Sequence, residues 1–306
     1  MSQGVYAYPR FRPFGLGNML FPWARCELFA KRHNAAMIAP QWTKPKLGPL
    51  LRRERDWRYY TGIFDSRSYV HGPKRLALLA LARKFDEDHA QDALEESSTT
   101  RPKVVVFRMI GDMFLPLLGH RDFLRQRLLE ILREPVRQRL ESQPVDWGIA
   151  VHIRRGDMRV LKYGEAYPKG ICVATSLDWF IGAVRAVRRI AGSDVPVRVF
   201  SDGKAEELAP LLALPNVSMS EHNPAIVDIF LLSRSPVVIT TCGSTFSGWA
   251  CYLGEPVSLW YPDSLGTIFP ANARGALVTA LDGCVRDEDV ESVRQALTQG
   301  EFSRVK

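Results

Sequence analysis

Three clusters of residues in this chain have types and spacings that could do chemistry. The first is His152-Ile153-Arg154-Arg155-Gly156-Asp157, which directly follows the apolar run Ile149–Val151. Such a run predicts a buried strand, so the two arginines emerge at its C-terminal end. While the segment stays extended, alternation sends their side chains in opposite directions. One can reach a ligand; the other can pair with Asp157 and hold the loop. A planar guanidinium stays charged and donates two parallel hydrogen bonds, which suits a phosphate. The same residues could also form an Arg–Asp loop lock with no ligand at all.

The second cluster is Thr240-Thr241-Cys242-Gly243-Ser244-Thr245-Phe246-Ser247, set between an apolar strand pattern and a helical one. Hydroxyls and free amides at a helix start can hold an anion, although Ser244 or Thr245 would serve equally as an ordinary N-cap. The third is Gly15-Leu16-Gly17-Asn18, where glycine permits close backbone approach and Asn18 can cap a helix or touch a ligand. It lacks the third glycine of a dinucleotide fingerprint and the acidic residue that follows one, and the chain has no Walker A sequence.

The elements that must position these clusters read as alternating strands and helices. In the N-terminal half, a short strand at Val5–Tyr8 and the glycine loop precede a helix beginning near Pro22. "AAMIAP" and "KVVVF" predict buried strands, and "PKRLALLALARKF" a helix. A long amphipathic helix over residues 121–142 is expected to break near Pro135. From residue 148, strand patterns at "GIAVHI", "PVRVFSD" and "PVVITT" alternate with helical ones at "SLDWFIGAVRAVRRIAG", "KAEELAPLLA", "PAIVDIFLLSRS" and "STFSGWACYLG". That order implies a parallel sheet with helices on both faces, whose ligands lie beyond the C-terminal strand ends. A boundary near residue 145, at "ESQPVDWG", predicts domains over 1–145 and 146–306.

These clusters, taken in order, resemble the alpha-1,2-fucosyltransferase family (glycosyltransferase family 11), related to the alpha-1,6- and protein O-fucosyltransferases. The H-x-R-R-x-D signature is residues 152–157 and the G-x-G-N loop residues 15–18. "SLDWF" at 176–180, "VFSDG" at 199–203 and the block from Asp228 through Gly254 are similar to further family segments. The resemblance spans residues 14–40 and 146–260. It implies an α/β fold of the GT-B type, with two Rossmann-like domains facing a central cleft. It further implies GDP-fucose as donor, inversion at the anomeric carbon, no required metal and no other cofactor. The N-terminal domain would lie on the acceptor side and the C-terminal one would bind the GDP-sugar.

Carried over by position, the resemblance implies that Arg154 holds the β-phosphate and His152 lies against the nucleotide. Asp228 would bond guanine, and Ser244 and Thr245 the pyrophosphate. Gly15, Gly17 and Asn18 would approach the donor, with Arg155, Asp202 and Phe246 completing its site. Two departures touch the donor pocket wall: Cys242-Gly243 stand where the family has Asn, and the second Trp after the F-S-W block is missing. Another GDP-sugar therefore stays open as donor. Asp157 and Glu165 are the alternatives for a general base, unless the leaving phosphate takes that role.

The acceptor would be an oligosaccharide or a lipid-linked glycan. Trp42, Trp57, Tyr59 and Tyr60 could stack on sugar rings, or could simply pack a subdomain, and Arg52, Arg53 and Arg55 could face a lipid pyrophosphate or an anionic membrane. A net charge of +8 and a pI near 9.4 favour polyanionic partners. A basic stripe interleaved with aromatics is absent, so nucleic acid is not expected; a non-catalytic polysaccharide or nucleic-acid binder is the rival reading. Asp86-Glu87-Asp88 and Asp287-Glu288-Asp289 read as a surface run and a helix start, not as metal sites. Five scattered cysteines without C-x-x-C pairing predict reduced thiols. With no leader pattern at the N-terminus and no apolar run of ~18–20 residues, the expectation is a cytoplasmic chain, at most peripheral to the inner membrane face.

Overall fold

The computed structural model describes residues 4–42, 60, 62–96, 101–156, 158–168, 173–269 and 273–302. The chain divides into two compact units, one over residues 1–53 and 57–137, the other over residues 54–56 and 138–306.

In the first unit, β1 (Val5–Pro9) leads into α1 (Leu16–His33), β2 (Ala36–Met37), α2 (Gly72–Leu81), β3 (Arg83–Asp86), α3 (Ala90–Glu95) and β4 (Lys103–Phe107). Helix α4 (Arg121–Glu130) follows, then α5 (Glu134–Glu141), through which the division between the units passes after Arg137; the break between the two helices falls beside Pro135 as expected. The sheet runs β2-β1-β4-β3, every pair parallel. All five residues of β4 are buried, as the run KVVVF demands of a central parallel strand.

Two elements differ from the sequence reading. The helix expected through Phe85 stops at Leu81, and Arg83–Asp86 forms the edge strand β3 against β4. An edge strand of Arg-Lys-Phe-Asp pairs through its main chain and carries no β-branched signal. Helix α1 starts at Leu16, with Gly15 as its N-cap, so Gly17 and Asn18 stand in its first turn and not in a loop. Pro22 is accommodated because it forfeits one bond, to a carbonyl of that first turn.

The second unit contains β5 (Ile149–Ile153), β6 (Arg159–Val160), β7 (Val173–Ala174), α6 (Leu177–Ala191), β8 (Val197–Ser201), α7 (Ala209–Leu212) and β9 (Val217–Met219). After these come α8 (Ala225–Ser233), β10 (Val237–Ile239), α9 (Thr245–Gly254), β11 (Val257–Trp260), β12 (Ala276–Val278) and α10 (Val290–Phe302). The main sheet is entirely parallel with order β12-β11-β10-β5-β8-β9. The chain therefore runs outward from β5 through β8 and β9, then crosses back to continue on the other side with β10. The strand order reverses between β5 and β10, which is where a doubly wound sheet opens a ligand crevice.

Strand β5 is buried on both faces, and Val184, Val187, Val199, Ile239 and Leu259 belong to the same core. Helices α8 and α9 touch closely: a Cβ on Gly254 would stand 1.8 Å from the Ser233 carbonyl oxygen, so only glycine fits. No helix among the described residues is long and apolar enough to cross a membrane.

Candidate functional site

Three neighbouring strands of the second unit, β10, β5 and β8, end at one edge of the sheet, and the polar residues sought from the sequence cluster there. Thr241, just past β10, ties the first two ends together. Its hydroxyl donates to the His152 carbonyl at 2.6 Å and accepts from the Arg154 amide at 3.0 Å. Past β8, Asp202 Oδ1 accepts from the Arg155 amide at 2.7 Å. The loop leaving β5 is thus held on both sides by short-range bonds to its neighbours.

His152 is buried, its ring stacked on Phe246 with centroids 4.8 Å apart and its Nδ1 2.6 Å from Ser247 Oγ. Burial, and secondarily the charge of Arg154, pushes its pKa down to about 3, so the ring is neutral at physiological pH. Arg155 turns inward: Nη1 donates to the Thr175 carbonyl at 3.0 Å, and only 9% of the residue is exposed. It braces the loop, one of the two roles expected for the arginine pair.

Arg154 takes the other direction. Its Nε lies 3.4 Å from Asp202 Oδ2, an ion-pair distance, yet it makes no hydrogen bond, so this attraction orients the group without saturating it. Among the described residues no protein acceptor holds its Nη atoms. A half-exposed, unsaturated guanidinium thus stands at the strand-order reversal.

Beside it begins α9. Ser244 caps the helix, its Oγ accepting from the Ser247 amide at 3.4 Å, which leaves the first-turn amides of Thr245 and Phe246 without intrahelical acceptors. Gly243 holds φ +60 and a Cβ there would stand 2.8 Å from Tyr167 Oη, so the turn needs glycine for its backbone and for space. Gly243, Ser244, Thr245 and Phe246 are all partly exposed. An N-terminal helix dipole, free amides, hydroxyls and an unsaturated arginine are groups that can together hold an anion.

Other expected residues stand apart from this cluster or are already engaged. Asp228, in the first turn of α8, accepts from Asn223 Nδ2 at 3.0 Å. Glu165 is gripped by Arg159 through both carboxylate oxygens, at 2.7 and 3.0 Å, and accepts from the Lys162 amide. The Arg159 bond, then the amide, draw its pKa down to about 2, which makes it a weak proton acceptor in this arrangement. Asp157 lies outside the described residues, as do Trp57, Tyr59, Arg52, Arg53, Arg55 and Cys172.

In the first unit, Gly15 has φ −71 and open space where a Cβ would stand, so neither backbone nor packing demands glycine there. Asn18 Oδ1 is buried without a hydrogen-bond partner among the described residues. Trp42 is 4% exposed and stacked on Phe64, and Tyr60 is 2% exposed with its hydroxyl accepting from the Leu16 amide. Both pack the unit and offer no sugar platform. Asp86 and Glu87 are held by Arg108 and Arg25. No group of three or more metal-ligating side chains occurs among the described residues. Burial raises the thiols of Cys242 and Cys251 to about 11 and 12, so both are protonated at neutral pH.

Sequence reasoning placed Thr241 and Ser247 in the hydroxyl-rich turn without foreseeing their bonds to the β5 end, and left Thr175 without a role. Thr175, whose Oγ1 accepts from the Cys242 amide at 3.0 Å, links the Arg155 brace to the glycine turn. All three hydroxyl residues are buried.

No family model matches the chain, and the search of curated proteins found no match. Solved structures do match. The NodZ alpha-1,6-fucosyltransferase soaked with GDP-fucose aligns with a TM-score of 0.50 at 14% identity, over 81% of this chain and 92% of that one. POFUT1 in complex with GDP-fucose aligns with a TM-score of 0.51 at 13% identity, over 91% and 98%. The apo form of POFUT1 gives 0.50 at 11% identity, over 84% and 96%. The fold is α/β of the GT-B type, shared with these fucosyltransferases.

Proposed function

We propose that this protein transfers L-fucose from GDP-fucose to a hydroxyl of a glycan acceptor, with inversion and without a metal ion. The observation that carries the reading is Arg154: a guanidinium with free Nη donors, set at the strand-order reversal beside the capped start of α9. The fold shared with proteins crystallised with GDP-fucose supports the choice of donor.

In this reading residues 146–306, expected from the sequence as the C-terminal domain and contained in the second unit, bind the donor, and residues 1–145 are the acceptor side. The acceptor oxygen bonds to the anomeric carbon as that carbon's bond to the β-phosphate oxygen breaks, and GDP leaves with the electron pair. Charge grows on the leaving phosphate, and a cation already aimed there stabilises the transition state more than the ground state. Ser244, Thr245 and the first-turn amides of α9 hold the remaining pyrophosphate oxygens. The neutral His152 ring and Phe246 form the wall beside them, Arg155 and Asp202 keep the loop in place, and Asp228 takes the base. The approach of Gly15, Gly17 and Asn18 to the donor rests on the sequence resemblance alone. The acceptor's proton passes to Asp157, or to the leaving phosphate, in preference to Glu165. An alpha-1,2 linkage is what the sequence resemblance implies, and the acceptor in this reading is an oligosaccharide or a lipid-linked glycan.

Calorimetric titration of GDP and GDP-fucose into wild type and Arg154→Ala, with EDTA present, tests this directly. Micromolar binding by wild type that weakens at least about 100-fold in the variant is expected for loss of a charge-assisted contact. Absence of GDP binding by the wild type would overturn the reading. Binding only after EDTA is replaced by a divalent cation would overturn its metal independence.

A further inference from the structure

Helix α2 is apolar on nearly all sides. Its inner face lies on the first unit's sheet, with Leu78 and Ala82 in a core shared with Ile38, Val104 and Val106. Its outer face carries Leu76, 64% exposed, Leu81, 74% exposed, and the exposed Ala77 and Ala80 between them. A helix apolar all round is ordinarily covered on every side, and exposed leucines about one and a half turns apart, with alanines between them, mark an interaction surface.

The rim of this face is cationic. Lys74 stands at the helix start with its ammonium 5.7 Å from the Tyr6 ring centroid. At the far end lie Lys84, on β3, and Arg101, brought alongside by the Arg83 amide bonding the Pro102 carbonyl at 2.9 Å. Lys74, Lys84 and Arg101 are exposed and have no ion-pair partner among the described residues, whereas Arg83 is paired with Glu96. Apolar side chains at the centre with lysines and arginines around them fit an anionic bilayer: leucines enter the headgroup–acyl boundary and the cations meet lipid phosphates. A second copy fits less well, because it would bring the same cations and another net charge of +8 against this face.

We propose that the outer face of α2 seats this protein on an anionic lipid bilayer through Leu76 and Leu81, with Lys74, Lys84 and Arg101 against the headgroups. This surface goes beyond the transferase reading and does not rest on it, though a lipid-linked acceptor would be met there.

The full chain should cosediment with vesicles of phosphatidylcholine and phosphatidylglycerol in equal parts, and not with vesicles of phosphatidylcholine alone. Replacing both leucines (Leu76→Ser with Leu81→Ser) should lower vesicle affinity by about ten-fold or more. Lys74→Glu with Lys84→Glu should abolish the preference for phosphatidylglycerol. GDP titration of each variant should match wild type, which separates failure here from failure at the donor site and shows the variants are folded. The proposal is overturned if wild type ignores the mixed vesicles or if the leucine variant binds them equally. It is also overturned if light scattering shows a wild-type dimer that the leucine variant turns into monomer.

Discussion

His152 should make the stability of this protein depend on pH in a window well below neutrality. The ring is buried against Phe246 and Ser247 next to Arg154, and its folded pKa is about 3 against an ordinary value of 6.5. The unfolded chain therefore binds a proton below pH 6.5 that the folded chain refuses until about pH 3. The contribution is fully present above 6.5, falls as pH drops through the window, and levels off below 3. At about 1.4 kcal/mol per pH unit, moving from pH 7 to pH 5 costs about 2 kcal/mol from this one group. Urea unfolding of wild type and His152→Asn at pH 7, 6 and 5 isolates it, because every other titrating group is common to both. The difference in unfolding free energy between the two proteins should shrink by about 2 kcal/mol across that range. An unchanged difference would mean that the ring is accessible to solvent or carries a proton in the folded chain, and the neutral wall assigned to it would be lost.

Thr241→Val keeps the shape of the side chain but orphans the His152 carbonyl and the Arg154 amide; it should cost about 2–4 kcal/mol in urea unfolding, while Thr241→Ser costs about 1 kcal/mol or less. Gly243→Ala forces a non-glycine residue to φ +60 and its Cβ against Tyr167 Oη, so it should lose about 1–2 kcal/mol of stability and weaken GDP binding; adding Tyr167→Phe should restore part of both. Arg159→Ala removes the chief cause of Glu165's low pKa, so carboxyl-carbon titration by NMR should move that group up from about 2 towards the ordinary carboxylate range. If the rate of transfer gains an acid limb at the new value, Glu165 and not Asp157 takes the acceptor proton.

What was legible in the sequence follows the physics of each feature. Strands β4, β5 and β10 announced themselves because a parallel strand covered on both faces must be a continuous apolar run. The short strands β11 and β12 did not, since four and three residues inside an irregular stretch give no period to read. The edge strand β3 was hidden for a different reason: its partner β4 supplies the hydrogen bonds and its own side chains stay partly in solvent. Within the site, residue types left open which arginine would turn inward and whether the other would meet a ligand, and the expected pairing with Asp157 falls outside the described residues. Burial decides which turns inward, with Arg155 sealed against the Thr175 carbonyl and Arg154 left with open donors. For Trp42 and Tyr60 residue type left a sugar platform and a packed core both open, because an aromatic ring serves either; their neighbours decide for the core.

The pairing of a neutral histidine with a free arginine also bears on why three strand ends are needed. A lone arginine at the end of β5 would be drawn to the nearest carboxylate, and Asp202 lies close enough to take it. It does not fold onto that carboxylate because Oδ1 already accepts from the Arg155 amide, leaving only a misaligned approach to Oδ2. On the other side, Thr241 fixes the Arg154 amide, so the backbone cannot swing to improve that geometry. The neutral His152 adds no second cation to repel Arg154 outward and no proton to compete for the anion. Each strand thus contributes one restraint, and together they leave the guanidinium oriented, charged and unsaturated. Removing the Thr241 or the Asp202 restraint should therefore weaken anion binding through the placement of Arg154. Asp202→Asn keeps an oxygen for the Arg155 amide and loses only the charge. Its GDP affinity should lie between those of wild type and Asp202→Ala, and the reverse order would refute this account of how the arginine is held.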